Sequence, residues 1–210
     1  MMFDPAFKEA ISNLSSKEKD KLLFRLLKKD LKLVNRLYFE LVSTKTVDDL
    51  RSEMEERIEI QVKKLSDDFY SFGYLNMDVR YLSGDITHHV SKTKDKFGDI
   101  SLNLLLLREV MRHNVVRIEN SKKSKAKNKF IAAIYARVFK VLKGIQKLDE
   151  DYFIDFEEDL KAVGNCIGNS DLMMREAIYH GLDVNWLLQP YIPEDIVEIH
   201  KNLRERGYLR

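Results

Sequence analysis

No proline falls between Pro5 and Pro190. Proline lacks a backbone donor and its ring clashes with the preceding turn of a helix, so a long stretch without it leaves room for uninterrupted helices. Glycine is sparse over the same stretch: Gly73, Gly84, Gly98, Gly144, Gly164, Gly168 and Gly181 are the only ones. No run alternates apolar and polar residues as a half-buried strand would. The chain therefore reads as all-α.

Start signals and apolar spacing divide it into elements. Asp4-Pro5 sets a cap before a proline at the first helical position. Ser15 and Glu18 have the spacing of a capping box, and Leu22, Leu23, Leu26 and Leu27 follow on one face. A break near Asp30 precedes Val34, Leu37, Tyr38, Leu41 and Val42. The next helix starts near Thr46 and carries Leu50, Met54, Ile58, Val62 and Leu65 at helical spacing. From Phe69 to Lys96 the apolar pattern is helical, but Gly73 and Gly84 each weaken it by about 1 kcal/mol relative to alanine. Gly98-Asp99 reads as a break and cap before a helix with Leu102, Leu105, Leu106, Val110 and Met111 on its buried side.

Residues 121–129 fit either a loop or the opening turns of a helix whose apolar stripe runs Ile131, Ile134, Val138, Leu142, Ile145 and Leu148. An acidic segment then opens a helix with Phe153, Phe156, Leu160 and Val163, ending around Gly164. Ser170-Asp171 caps another that ends at Gly181, Trp186 marks a short piece, and a last helix runs from Pro193 to about Arg206. The expectation is eight to ten antiparallel helices over 1–210 as one domain, in a bundle or a HEAT-like array, with any sub-division near 96–99.

The single cysteine, Cys166, cannot form an internal disulfide, and no secretory leader is visible after Met1-Met2, so a cytoplasmic location is expected. The densest apolar run, Leu104 to Leu107, is far short of the roughly 20 residues a bilayer requires, and no membrane association is expected.

Net charge is only +2, yet it is unevenly placed. From Arg108 to Lys147 twelve Lys/Arg face only Glu109 and Glu119, a balance of +10, whereas Asp149 to Asp159 holds seven acids and no base, a balance of −7. Segregation on this scale steers partners more than it shapes a fold. Lys122, Lys123, Lys125, Lys127, Lys129, Arg137, Lys140 and Lys147 are the candidate partner-binding residues, with Arg112 and Arg117 close upstream. Such a basic stripe suits a phosphate backbone, as in RNA or an RNA-containing assembly, and equally an acidic protein. It is also what a solvated helix face presents when it pairs with a neighbouring acidic segment. Tyr135 and Phe139 interleave with it, at a spacing that belongs to the core.

Other constellations are weaker. Asp85, His88 and His89 sit one turn apart, where two side chains converge on an ion, but no second contributing turn is visible. Glu109 with His113, and Glu176 with His180, are four apart and read as local ion pairs. There is no H-E-x-x-H, glycine-rich phosphate loop or nucleophile elbow. No catalytic residue, metal or cofactor is expected.

The stretch from Lys17 to Asp30 (KEKDKLLFRLLKKD), running into Asn35-Arg36-Leu37-Tyr38-Phe39-Glu40-Leu41, resembles an uncharacterised family of bacterial all-helical proteins. Members of that family sometimes carry the label deoxyuridine triphosphate nucleotidohydrolase. All-helical nucleotide pyrophosphohydrolases hold magnesium with Glu-x-x-Glu and Glu-x-x-Asp turns. The resemblance thus implies Glu53 and Glu56 as one such turn, with Glu59 a turn further on; no Glu-x-x-Asp follows downstream.

Two readings result. The favoured one is a non-catalytic helical protein that binds an anionic macromolecule through its basic stripe. The alternative is a metal-dependent nucleotide phosphohydrolase using helix carboxylates, and self-association is a third expectation.

Overall fold

The computed structural model describes residues 3–189 and 191–210; Met1, Met2 and Pro190, which bound the opening sequence arguments, lie outside them. The described residues form eleven α-helices and no strand. Three short helices come first: α1 (Pro5–Ser12), α2 (Ser16–Leu27) and α3 (Leu31–Val42). Four long ones follow, α4 (Val47–Asp67), α5 (Phe72–Thr93), α6 (Lys96–Asn120) and α7 (Lys125–Ile145). After a single 3-10 turn at Glu150–Tyr152 come α8 (Ile154–Gly168), α9 (Asp171–Tyr179), α10 (Asn185–Leu188) and α11 (Ile196–Glu205).

The helix starts follow local chemistry. Ser15 and Glu18 close a capping box on α2, and Thr46 and Asp49 close another on α4. Asp30, Ser71, Ser124 and Ser170 cap α3, α5, α7 and α9 through side-chain oxygens. The two glycines of α5 do not interrupt it, because Phe72, Leu75, Val79, Leu82 and Ile86 are all buried along one face. Tertiary burial outweighs the small propensity cost. For the same reason α8 runs past Gly164 to Gly168.

The core centres on α6, which packs against α4, α5, α7, α8 and α9. Leu102 to Leu107 are buried without a gap, so α6 is covered on every side and not along one stripe only. Contacts restricted to neighbouring pairs, as in a HEAT-like stack, do not describe this helix. On α7 the stripe Ile131, Ile134, Val138, Leu142 and Ile145 is buried as its spacing predicts, together with Tyr135 and Phe139. The Tyr135 hydroxyl donates to the Met173 carbonyl at 2.6 Å, which satisfies the one polar atom of that ring.

The connection between α5 and α6 is only Lys94 and Asp95, with Lys94 in the left-handed region at φ 60°. Residues 96–99 are the first turn of α6, and the cap is Asp95, three residues before the expected break. Its carboxylate accepts the Gly98 N–H at 2.7 Å. A Cβ at Gly98 would collide with that carboxylate, so glycine is what lets the cap close. Arg51 of α4 reaches the same carboxylate with two hydrogen bonds of 2.7 and 2.9 Å, and its guanidinium lies 5.0 Å from the Phe97 ring centroid.

Residues 3–42 are different in kind: none is buried. This arm meets the body where α3 lies along α5, with the Lys92 ammonium over the Phe39 ring at 5.6 Å. Phe3, Phe7, Phe24, Leu31 and Leu41 are exposed along it. No helix among the described residues is long and apolar enough to cross a membrane.

Candidate functional site

The outer face of α7 is built by its own periodicity. With the apolar stripe turned to α6, Lys125, Lys129 and Lys140 are exposed on the helix, Arg137 is half-buried at its edge, and Lys147 is exposed in the turn after the Gln146 cap. Lys122 and Lys123 are exposed too, but on the loop before the Ser124 cap and not on the helix. Lys127 departs from the expected set. It is only 4% exposed, and its ammonium donates to the Ser121 carbonyl at 2.6 Å, closing the loop that leads into α7. Burial lowers its pKa. It is a structural lysine and takes no part in the surface.

Three of the remaining residues come together with cations that sequence reading missed. Lys129, Arg137 and Lys140 of α7 join Arg80 of α5, Arg204 of α11 and Arg210 of the C-terminal tail around an open cavity of about 630 Å³. Asn76 and Ser83 of α5 complete the polar lining, and no carboxylate is among the lining residues. Lys140 has one acidic neighbour, Asp99 at 3.2 Å. Arg137 has no ion pair or hydrogen-bonded side chain among the described residues, and burial pulls its pKa down to about 10. The positive field extends along α7. Burial lowers the Lys143 pKa, and the nearby Lys147 and Arg204 charges lower it further. His200 is lowered in the same way, by burial and then by Lys143 and Arg204. Lys143 accordingly donates to Nδ1 of a neutral His200 at 3.0 Å.

The acidic segment does not neutralise this surface. Among the described residues, its ion pairs run from Asp159 to Arg108 and from Glu157 to Lys161, away from α7. Arg112 and Arg117 are not part of the surface either. Arg112 binds Glu109 at 2.6 Å, while Arg117 donates to the Ser66 carbonyl and stacks 4.4 Å from the Phe69 ring centroid.

The helices that pack beside α7 carry exposed aromatic side chains. Tyr74, Met77 and Tyr81 lie at i, i+3 and i+7 of one α5 face, Tyr70 precedes the Ser71 cap, and all four are exposed; Arg80 of the cavity is next to Tyr81 in sequence. On the other side Tyr179 shares a smaller pocket with Lys123, Arg210 and the carboxylate-bearing Glu176. The signal for Arg204 and Arg210 was present in the arginine-rich last seven residues. Arg80 carries no local signal, because only the packing of α5 beside α7 brings it there.

The carboxylates of the alternative reading are dispersed. Glu53 is paired with Lys45, Glu56 is exposed, and Glu59 extends to Arg108 at 3.7 Å. Asp85 is paired with Arg57, and buried His89 contacts Asp95, so the two point to different helices while His88 stays in solvent. No group of three or more His, Cys, Asp or Glu suited to a metal ion exists among the described residues. Cys166 is half-buried, and burial raises its thiol pKa, the opposite of activation. Compared with protein-family models, curated proteins and solved structures, the chain has no match.

Proposed function

We propose that this protein is a non-catalytic, cytoplasmic RNA-binding protein whose partner lies along the basic face of α7. The observation that supports this most is the scarcity of ion pairs: a run of cations on α7, α5 and the C-terminal tail in which, among the described residues, Asp99 is the one paired acid. A concentrated field of one sign destabilises the protein that carries it and is relieved by a polyanion. Lys122, Lys123, Lys125, Lys129, Lys140 and Lys147 supply phosphate contacts along the face, and Arg80, Arg137, Arg204 and Arg210 deepen it. The exposed tyrosines favour single-stranded RNA over an acidic protein, since bases stack on aromatic rings beside a cationic groove.

The test is charge reversal of Lys122, Lys123, Lys125 and Lys129 to glutamate, with Lys127 left in place because it is buried. Loss of binding to labelled mixed-sequence RNA with unchanged helix content supports the reading. Undiminished affinity refutes it.

A further inference from the structure

The cavity is over-provided for an ordinary phosphodiester. Along α7 the exposed lysines stand singly, Lys125 and Lys129 one turn apart and Lys140 eleven residues further on, which suits a strand with about one charge per nucleotide. In the cavity six cations converge, and among the described residues only Lys140 is in an ion pair. Three of the four arginines come from elements distant in sequence, so the convergence is a product of the fold. The guanidinium of Arg137 is held there although burial opposes its charge. A terminal phosphate carries about −1.5 to −2 at neutral pH, more than the single charge of a diester. A chain of phosphates concentrates several such charges in a volume this cavity holds. Guanidinium forks bind phosphate oxygens in pairs, and four arginines line the space, of which Arg204 and Arg210 also donate to backbone carbonyls. Two further polar groups line the cavity. Ser83 offers a hydroxyl, and the Asn76 amide has its Oδ1 buried with no donor; turned over, that amide presents N–H groups instead.

We propose that this cavity is an oligophosphate site that receives the 5′-phosphorylated end of an RNA strand whose body lies on α7. The inference rests on the RNA reading above, and it adds that binding is end-dependent. Arg137, Arg80 and Arg210 clasp the terminal phosphates, while Lys129 and Lys140 lead the strand onto the helix face.

The experiment uses the full chain with one oligoribonucleotide carrying either a 5′-hydroxyl or a 5′-triphosphate, and inorganic tripolyphosphate as competitor. The triphosphate strand is expected to bind about tenfold more tightly, the scale of one good charge-assisted contact. Tripolyphosphate is expected to remove that advantage and leave 5′-hydroxyl binding in place. Arg137→Gln should abolish the difference in affinity between the two strands. Because Arg137 is half-buried, Arg80→Gln at an exposed position serves as the second variant and should halve the preference or more. Equal affinity for the two strands overturns the end site and leaves the α7 surface standing. Binding of tripolyphosphate alone, with neither strand bound, overturns both the RNA end and the RNA reading and assigns the cavity to a free oligophosphate. A preference that survives both substitutions places the end elsewhere and also overturns the proposal.

Discussion

The backbone N–H of Leu209 donates to Nδ1 of His180 across 3.2 Å, tying the C-terminal tail to the turn after α9. Leu209 is buried with φ 62°, a left-handed conformation that a leucine adopts only when its surroundings hold it. The tail is further held by Arg204, which donates to the Leu209 carbonyl, and by Arg210, which donates to the Arg204 carbonyl at 3.2 Å. This bond thus positions two of the cavity's arginines.

His180→Phe keeps the ring's packing against Tyr135 but leaves the Leu209 N–H without an acceptor. The expected loss is about 1–2 kcal/mol in unfolding free energy, with weaker RNA binding as Arg210 is released. A pH effect accompanies it. Burial lowers the His180 pKa, against the opposing charge of Glu176, and the neutral ring this favours leaves Nδ1 able to accept. The folded pKa is below the ordinary value of about 6.5, so this contribution is complete above that value and is lost as pH falls through the folded pKa. Thermal unfolding at pH 7.5 and at pH 5 should show a drop in wild type that His180→Phe reduces.

Asp95 joins three long helices: it caps α6, receives Arg51 from α4 and contacts His89 of α5 at 3.3 Å. Burial pushes its carboxyl pKa up, but Arg51, the Gly98 N–H and His89 outweigh that and hold it below the usual carboxylate range. Arg51→Ala strands a buried carboxylate and should cost about 3 kcal/mol. For a chain of this size that lowers the melting temperature by roughly 6–12 °C. The stabilisation from Asp95 is present above its unfolded pKa of about 3.9 and is lost as pH falls through the folded value. Acid titration of wild type against Arg51→Ala measures it.

Lys127 and Lys129 are two residues apart and should behave oppositely. Lys127→Ala removes the ammonium that closes the Ser121–Ser124 loop and should cost about 1–2 kcal/mol of stability, with RNA affinity nearly unchanged. Lys129→Ala should leave the melting temperature unchanged and reduce the salt slope of RNA binding by about one phosphate contact, near 0.7.

Tyr81→Ala isolates the stacking contribution. Its ring is 66% exposed and contributes little to folding. If a base stacks there, the substitution weakens binding by about 1–3 kcal/mol with the salt slope preserved, because no charge is removed. Equilibrium binding at two salt concentrations separates the two quantities.

Most of the fold was legible in the sequence because helix starts are local chemistry. Ser15–Glu18, Asp30, Thr46 and Ser170 each announce a start within four residues. The start of α6 was misplaced because Gly98 looks like a breaker. Its role is to leave room for the Asp95 carboxylate, and that depends on a close approach no spacing reveals. The all-round burial of α6 is equally a matter of neighbours. For the site, the outer lysines of α7 followed from periodicity. Lys127 could not be told from them, since its burial depends on where the preceding loop folds back. Arg80, Arg204 and Arg210 come from α5, α11 and the tail, and only tertiary packing gathers them beside Arg137.

The central claim is that the α7 face binds RNA through its uncompensated charge, and the salt dependence of that binding tests it most directly. Measured with labelled mixed-sequence RNA, log affinity against log salt should fall with a slope near −3, roughly four phosphates at about 0.7 each for a single strand. The lysine-to-glutamate variant should show no measurable binding. Absence of binding by the wild-type protein even at low salt, or a slope near zero, would contradict the account.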